Sequence, residues 1–177
     1  MLVNLLIEHP SAALGILRQT PGWVWLLLAG LIALGISQWR TRQASLTRVT
    51  VLPIAMVAFS LLGLVTAFGR GGALPAALGS WVAGLAMVGL LLRRLSAPSG
   101  ARFDLSSARL HLPGSPWPLF LVLAIFLLKY AVGIELAMRP QAASELGFVL
   151  TVAALYGALS GVFATRAAAL WRLARRH

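Results

Sequence analysis

The chain is organised as long apolar blocks separated by short clusters of arginine, glycine and proline. A helix needs roughly 20 consecutive apolar residues to cross a bilayer. On that measure the pattern predicts five transmembrane helices, at 22–38, 49–68, 73–92, 117–138 and 144–165. Pro21 suits a helix start, where its missing N–H costs nothing. Trp23 and Trp25 mark one interface of the first span and Trp39 the other. Pro53 lies in the first turns of the second span, so that helix starts or bends there. Gly69-Arg70-Gly71-Gly72 predicts a tight turn, Arg93-Arg94 stops the third span, and Arg139-Pro140 turns the fourth into the fifth. The class is all-α, a polytopic membrane helix bundle forming a single integral membrane domain over 1–177.

Two segments fall outside the spans. Residues 2–19 are too short, and too broken by Pro10, to cross a bilayer, and predict a short interfacial or re-entrant helix. No basic residue precedes the apolar stretch Met1–Ile7, which argues against a signal peptide. Residues 95–116 are rich in Pro, Gly and Ser and form the one sizeable loop. Within it, Arg102-Phe103-Asp104 and Arg109-Leu110-His111-Leu112 flank residues 105–108 and predict a small cytoplasmic β-hairpin, with Asp104 capping or turning it.

Composition agrees with lipid as the solvent. Of 177 residues, 59% are hydrophobic and 11% charged, against about a quarter charged in a soluble domain. Fifteen Lys plus Arg face four Asp plus Glu, a formal net charge of +11. The positive charge sits in clusters between apolar blocks, which is a membrane pattern and not a nucleic-acid one. With no cysteine, disulfides and thiolate chemistry are excluded. The three histidines have no metal-ligand spacing, so no metal site and no cofactor is expected. No nucleophile–His–acid set or nucleotide-binding fingerprint argues for an enzyme.

The arginines orient the bundle. Arg40, Arg42, Arg48, Arg93, Arg94, Arg102, Arg109, Arg166, Arg172, Arg175 and Arg176 share one side, and only Arg18, Arg70 and Arg139 the other. By the positive-inside rule the N-terminus is outside and the C-terminus cytoplasmic. The cytoplasmic rim would attract anionic headgroups, with Trp39, Trp117 and Trp171 anchoring at that level.

Lys129 is the residue that stands out. It lies twelve residues into the fourth span, roughly 18 Å of rise and so near the bilayer midplane. A cation there must face protein or water. Ser60 and Tyr156 fall at similar depth and complete a candidate intramembrane polar site, each offering a hydroxyl oxygen. Glu135, about 9 Å further along the same helix, either pairs with Arg139 in the favourable Glu-first order or forms the outer end of a proton or cation path. In the fifth span Ala153, Gly157, Gly161 and Thr165 make a small-residue stripe for helix packing, against a neighbour in the bundle or a second copy of the chain. Ser80 and Gly84 form a shorter stripe in the third.

Several stretches carry a resemblance: Thr20-Pro21-Gly22-Trp23-Val24-Trp25, Leu52-Pro53-Ile54-Ala55-Met56, Arg102-Phe103-Asp104, Leu112-Pro113-Gly114-Ser115, Lys129-Tyr130 and Leu155-Tyr156-Gly157-Ala158. In this order they resemble a family of small, uncharacterised proteobacterial inner-membrane proteins, a domain of unknown function. The resemblance implies a multi-pass protein of the bacterial inner membrane and no particular activity. A fainter similarity to a cytochrome c biogenesis membrane component would imply thiol-redox involvement, for which the chain has no cysteine. Two functions follow as expectations. One is a small transporter or permeation-type protein using Lys129, as a monomer or homodimer. The other is a non-catalytic scaffold or accessory subunit that binds a membrane partner through its small-residue faces.

Overall fold

The computed structural model describes residues 15, 20–37, 42–94, 100–104 and 109–175. The helix expected within 2–19 lies outside them but for Gly15. Five helices form: α1 (Gly22–Ser37), α2 (Leu46–Phe68), α3 (Leu74–Leu91), α4 (Trp117–Met138) and α5 (Leu146–Ala174). Four of them, α2 to α5, are long and apolar enough to cross a membrane.

The first predicted span is shorter than a full crossing. α1 has 16 residues, about 24 Å of rise against a hydrocarbon core near 30 Å. It runs antiparallel to α4: Gly35 lies against Leu119, while Thr20 Oγ1 is 2.5 Å from the Tyr130 hydroxyl. Tyr130 is eight residues short of the end of α4, so α1 begins about 12 Å inside that end of the bundle. Trp23 and Trp25 therefore sit deeper along α4 than a full first span would put them.

The fifth span is longer than expected. α5 continues past Thr165 to Ala174, 29 residues in all. Ala167-Ala168-Ala169 favours helix over a frayed tail, and the extension has something to pack against. Leu170 and Leu173 meet the buried Leu110 and Leu112, together with Val49 and Phe103.

Those leucines belong to a three-stranded sheet of order β1-β3-β2. The expected hairpin is β2 (Arg102–Asp104) with β3 (Arg109–Leu112), paired antiparallel. The third strand, β1 (Arg42–Ser45), pairs with β3 through Gln43 opposite His111 and Ala44 opposite Leu110. The sequence reading left residues 42–45 between two spans, with no element assigned. Arg-Gln-Ala-Ser has no apolar alternation, and the strand forms because β3 offers its free backbone edge. The sheet, the start of α2 and the end of α5 thus share one end of the bundle. Trp171 Nε1 donates to Thr50 Oγ1 at 2.8 Å and Arg172 Nη1 to the Arg93 carbonyl at 2.7 Å, which ties α2, α3 and α5 together there.

The opposite end is closed by two 3₁₀ turns, Gly69–Gly71 and Pro140–Ser144. The first exits through Gly72 at φ 70°, a left-handed conformation that costs glycine nothing. Pro53 does not start α2; the helix begins at Leu46 and passes through it.

α5 is the central helix. Its most extensive contact is with α3, and its next with α2, whereas α1 packs on α4. At the α3–α5 crossing a methyl on Gly157 would run into the Trp81 carbonyl, one on Gly84 into the Ala154 carbonyl, and one on Gly161 would stand 3.0 Å from the Leu85 carbonyl. Ser80 Oγ donates to the Leu150 carbonyl across the same contact at 2.7 Å. The main core is built from Leu64, Phe68, Trp81, Val132, Val149, Val152, Ala153 and Tyr156.

Candidate functional site: an intramembrane lysine pocket

The pocket follows from small residues on α2 that face the lysine-bearing side of α4. Ser60 and Gly63 are three apart and so share a helix face. A methyl on Gly63 would stand 2.6 Å from Lys129 Nζ and 3.3 Å from the Tyr156 ring. Gly63 is therefore the notch that admits the ammonium between α2 and α5.

Inside the notch, Lys129 Nζ is 4.2 Å from the centroid of the Phe59 ring and 5.0 Å from that of Tyr156. Its one hydrogen-bond acceptor among the described residues is the Phe59 carbonyl, at 3.5 Å. Two ring faces stabilise this half-buried cation, by about 1–2 kcal/mol together. Among the described residues no carboxylate pairs with the ammonium: the ion pairs are Arg139 with Glu135, at 3.3 Å, and Arg139 with Glu145.

A small cavity adjoins the ammonium. Met56, Phe59 and Ser60 of α2, Ile125 and Lys129 of α4, and Tyr156, Leu159, Ser160 and Phe163 of α5 line it. It leaves about 20 Å³ for the centres of water molecules, enough for one and too little for an organic solute. Ser60 and Tyr156 are both buried.

The structure thus brings Lys129, Ser60 and Tyr156 to one cavity, with two differences from the expected contacts. Tyr156 presents its ring face to the ammonium, not its oxygen. Ser60 accepts a hydrogen bond from Trp81 Nε1 at 2.9 Å, so its oxygen is engaged by α3. Phe59, Gly63 and Trp81 are site residues that sequence reasoning missed. A tryptophan in mid-helix is a signal in itself, since a buried indole N–H needs an acceptor. Glu135 lies apart from this cavity and pairs with Arg139 in the i, i+4 geometry. Arg139 also reaches Glu145. Ala153, Gly157 and Gly161 of the small-residue stripe are buried, and Thr165 half-buried, with its hydroxyl donating to the Gly161 carbonyl at 2.8 Å. The two glycines of that stripe face α3 of the same chain. Among the described residues no group of three His, Cys, Asp or Glu side chains is placed to hold a metal ion.

The sequence matches one family over residues 1–177. The chain belongs to DUF6622, a family of unknown function. No curated protein and no solved structure matches it. The arrangement around Lys129 is therefore read on its own chemistry. It is a cation at mid-helix depth, cradled by aromatic faces, with no counter-charge beside it among the described residues and room for one small guest.

Proposed function

We propose that this protein is a small permeation-type or transport protein of the bacterial inner membrane, working through Lys129. One observation carries the reading: the ammonium has no carboxylate partner among the described residues and borders a cavity that can hold a water-sized species. A cation at the midplane costs about 2.5–3.5 kcal/mol on insertion scales. Two aromatic faces and one long hydrogen bond return only part of that. A purely structural lysine would be better served by a counter-charge, or replaced by methionine.

The charge distribution supports the accompanying orientation. The sheet end carries Arg42, Arg48, Arg93, Arg94, Arg102, Arg109, Arg166, Arg172 and Arg175 against Asp104, whereas the other end carries Arg70 and Arg139 against Glu135 and Glu145. On the positive-inside rule the sheet end is cytoplasmic and meets anionic headgroups. The scaffold reading has less to stand on. It needs the small-residue stripe of α5 to be free for a partner, and Gly157 and Gly161 of that stripe already abut α3.

The test uses the absence of native cysteine. In membranes, Lys129→Cys is expected to react with a charged, water-soluble thiol reagent, while Leu128→Cys and Tyr130→Cys, as flanking controls, react at least tenfold more slowly. Equal protection of all three positions in a folded, inserted protein would remove the permeation reading.

A further inference from the structure

The guest that the pocket accepts can be named by class. Its polar groups are mostly hydrogen-bond donors. Lys129 carries three N–H donors and finds one acceptor, the Phe59 carbonyl. Ser60 accepts from Trp81, and no acceptor for its own hydroxyl proton is found among the described residues. Tyr156 is buried, and its hydroxyl has no hydrogen-bond partner among them either. Ser160 spends its proton on the Tyr156 carbonyl, at 2.8 Å. Among the described residues no carboxylate lines the cavity. A half-buried site with a fixed positive charge and hydroxyl donors beside it is complementary to a species that only accepts hydrogen bonds. The space open to the centres of water-sized species, about 20 Å³, suits one guest close to water in size. The remaining wall is apolar: Met56, Ile125, Leu159 and Phe163 would contact a weakly hydrated ion at little cost.

We propose that the cavity between α2, α4 and α5 binds a single halide-sized monovalent anion at Lys129, with the Ser60 hydroxyl as a second donor. The inference rests on the permeation reading and names its substrate class. Tetrahedral oxyanions such as sulfate and phosphate are too large for the space. Trp81 acts as a positioning residue. By donating to the Ser60 oxygen it turns the serine proton away from α3 and leaves it for the guest.

Lys129 is the only lysine in the chain, so lysine labelled with ¹³C at Cε gives one NMR signal that belongs to the site. The purified protein in a zwitterionic detergent would be titrated with sodium chloride in place of sodium gluconate at constant ionic strength. A parallel titration would use sodium sulfate. The expected result is a saturable shift of the single lysine signal with chloride and none with sulfate. Ser60→Ala, which leaves the charge in place, should weaken the apparent affinity about tenfold. A shift that is equal for all salts, or that never saturates, assigns the effect to the arginine rim and overturns the proposal; so does the absence of any shift. The permeation reading fails separately. Saturable chloride binding with no chloride efflux from proteoliposomes, and no labelling of Lys129→Cys, would leave a closed anion site and no pathway. Labelling of Lys129→Cys without a chloride response would keep the pathway and exclude the halide, leaving water or a proton as what reaches the lysine.

Discussion

At the scale of single residues the decisive position is Gly63. It owes its importance to what stands opposite, not to backbone freedom. Gly63→Ala would place a methyl 2.6 Å from Lys129 Nζ. The ammonium is the end of a flexible side chain, so it moves and the helices stay. Alanine also gains up to about 1 kcal/mol in helix propensity over glycine. The expected outcome is a thermal midpoint close to that of the parent protein, with a displaced lysine. In the single Cε signal of Lys129, the upfield shift imposed by the Phe59 and Tyr156 ring faces should shrink by at least half. A lysine signal unchanged by the methyl would mean that the ammonium does not sit in the notch. Lys129 itself was legible in the sequence, because one cation inside twenty apolar residues breaks the pattern. Gly63 was not, since glycine is common in apolar helices and its role depends on a side chain from α4. The three-residue spacing from Ser60 was the one available clue, once Ser60 was matched to Lys129 by depth.

At the scale of elements, α5 holds the bundle together and its contact with α3 is the tightest in the molecule. Two helices separated only by glycine Cα hydrogens against carbonyls gain packing contacts along their whole length without any hydrophobic drive from lipid. Gly157→Ala must push the Trp81 carbonyl away, and an overpacked contact of this kind costs about 1–3 kcal/mol. Because Trp81 also donates to Ser60, the disturbance spreads to the lysine pocket. Gly79→Ala, on α3, and Gly133→Ala, on α4, meet nothing within 4 Å and should be neutral or slightly stabilising. Thermal denaturation of the three variants in detergent separates the cases: only Gly157→Ala should fall by several degrees. A loss of the same size in all three would point to a general intolerance of methyl groups, not to a close crossing. The stripe was readable from its four-residue spacing. Which helix it meets was not, since any small-residue face fits several neighbours and only the assembled bundle chooses.

At the scale of the whole molecule, α2, α3 and α4 were legible to within three residues, and so was the start of α5, because each is a continuous apolar run bounded by arginine, glycine or proline. The errors share one cause: they lie where a segment's structure depends on a distant partner. α5 outruns its apolar stretch because Leu170 and Leu173 find the sheet. α1 keeps its expected start at Gly22 but lies deeper along α4 than a full first span would, since Thr20 meets Tyr130. β1 exists only because β3 lies alongside, and through it two loops far apart in sequence, ahead of α2 and ahead of α4, become one cap over the sheet end of the bundle. The sheet end as a whole gathers nine arginines against one aspartate among the described residues, a density that suits a single membrane face. If the two loops instead lay on opposite faces, the sheet could not form. The pairing is directly testable in a chain without native cysteine. Gln43 and His111 are cross-strand partners, with Cα atoms near 5 Å apart in an antiparallel pair, within the range a disulfide spans. The double variant Gln43→Cys with His111→Cys should cross-link under mild oxidation in native membranes and run as a compact species on a non-reducing gel. Gln43→Cys combined with Glu145→Cys, at the far end of the bundle, should not. A membrane-impermeant thiol reagent added to intact cells should leave positions 43 and 111 unlabelled and reach position 145. Labelling of 43 and 111 from outside, with 145 protected, would invert the orientation inferred from the arginines, while a cross-link between 43 and 111 would still hold the two loops to one face.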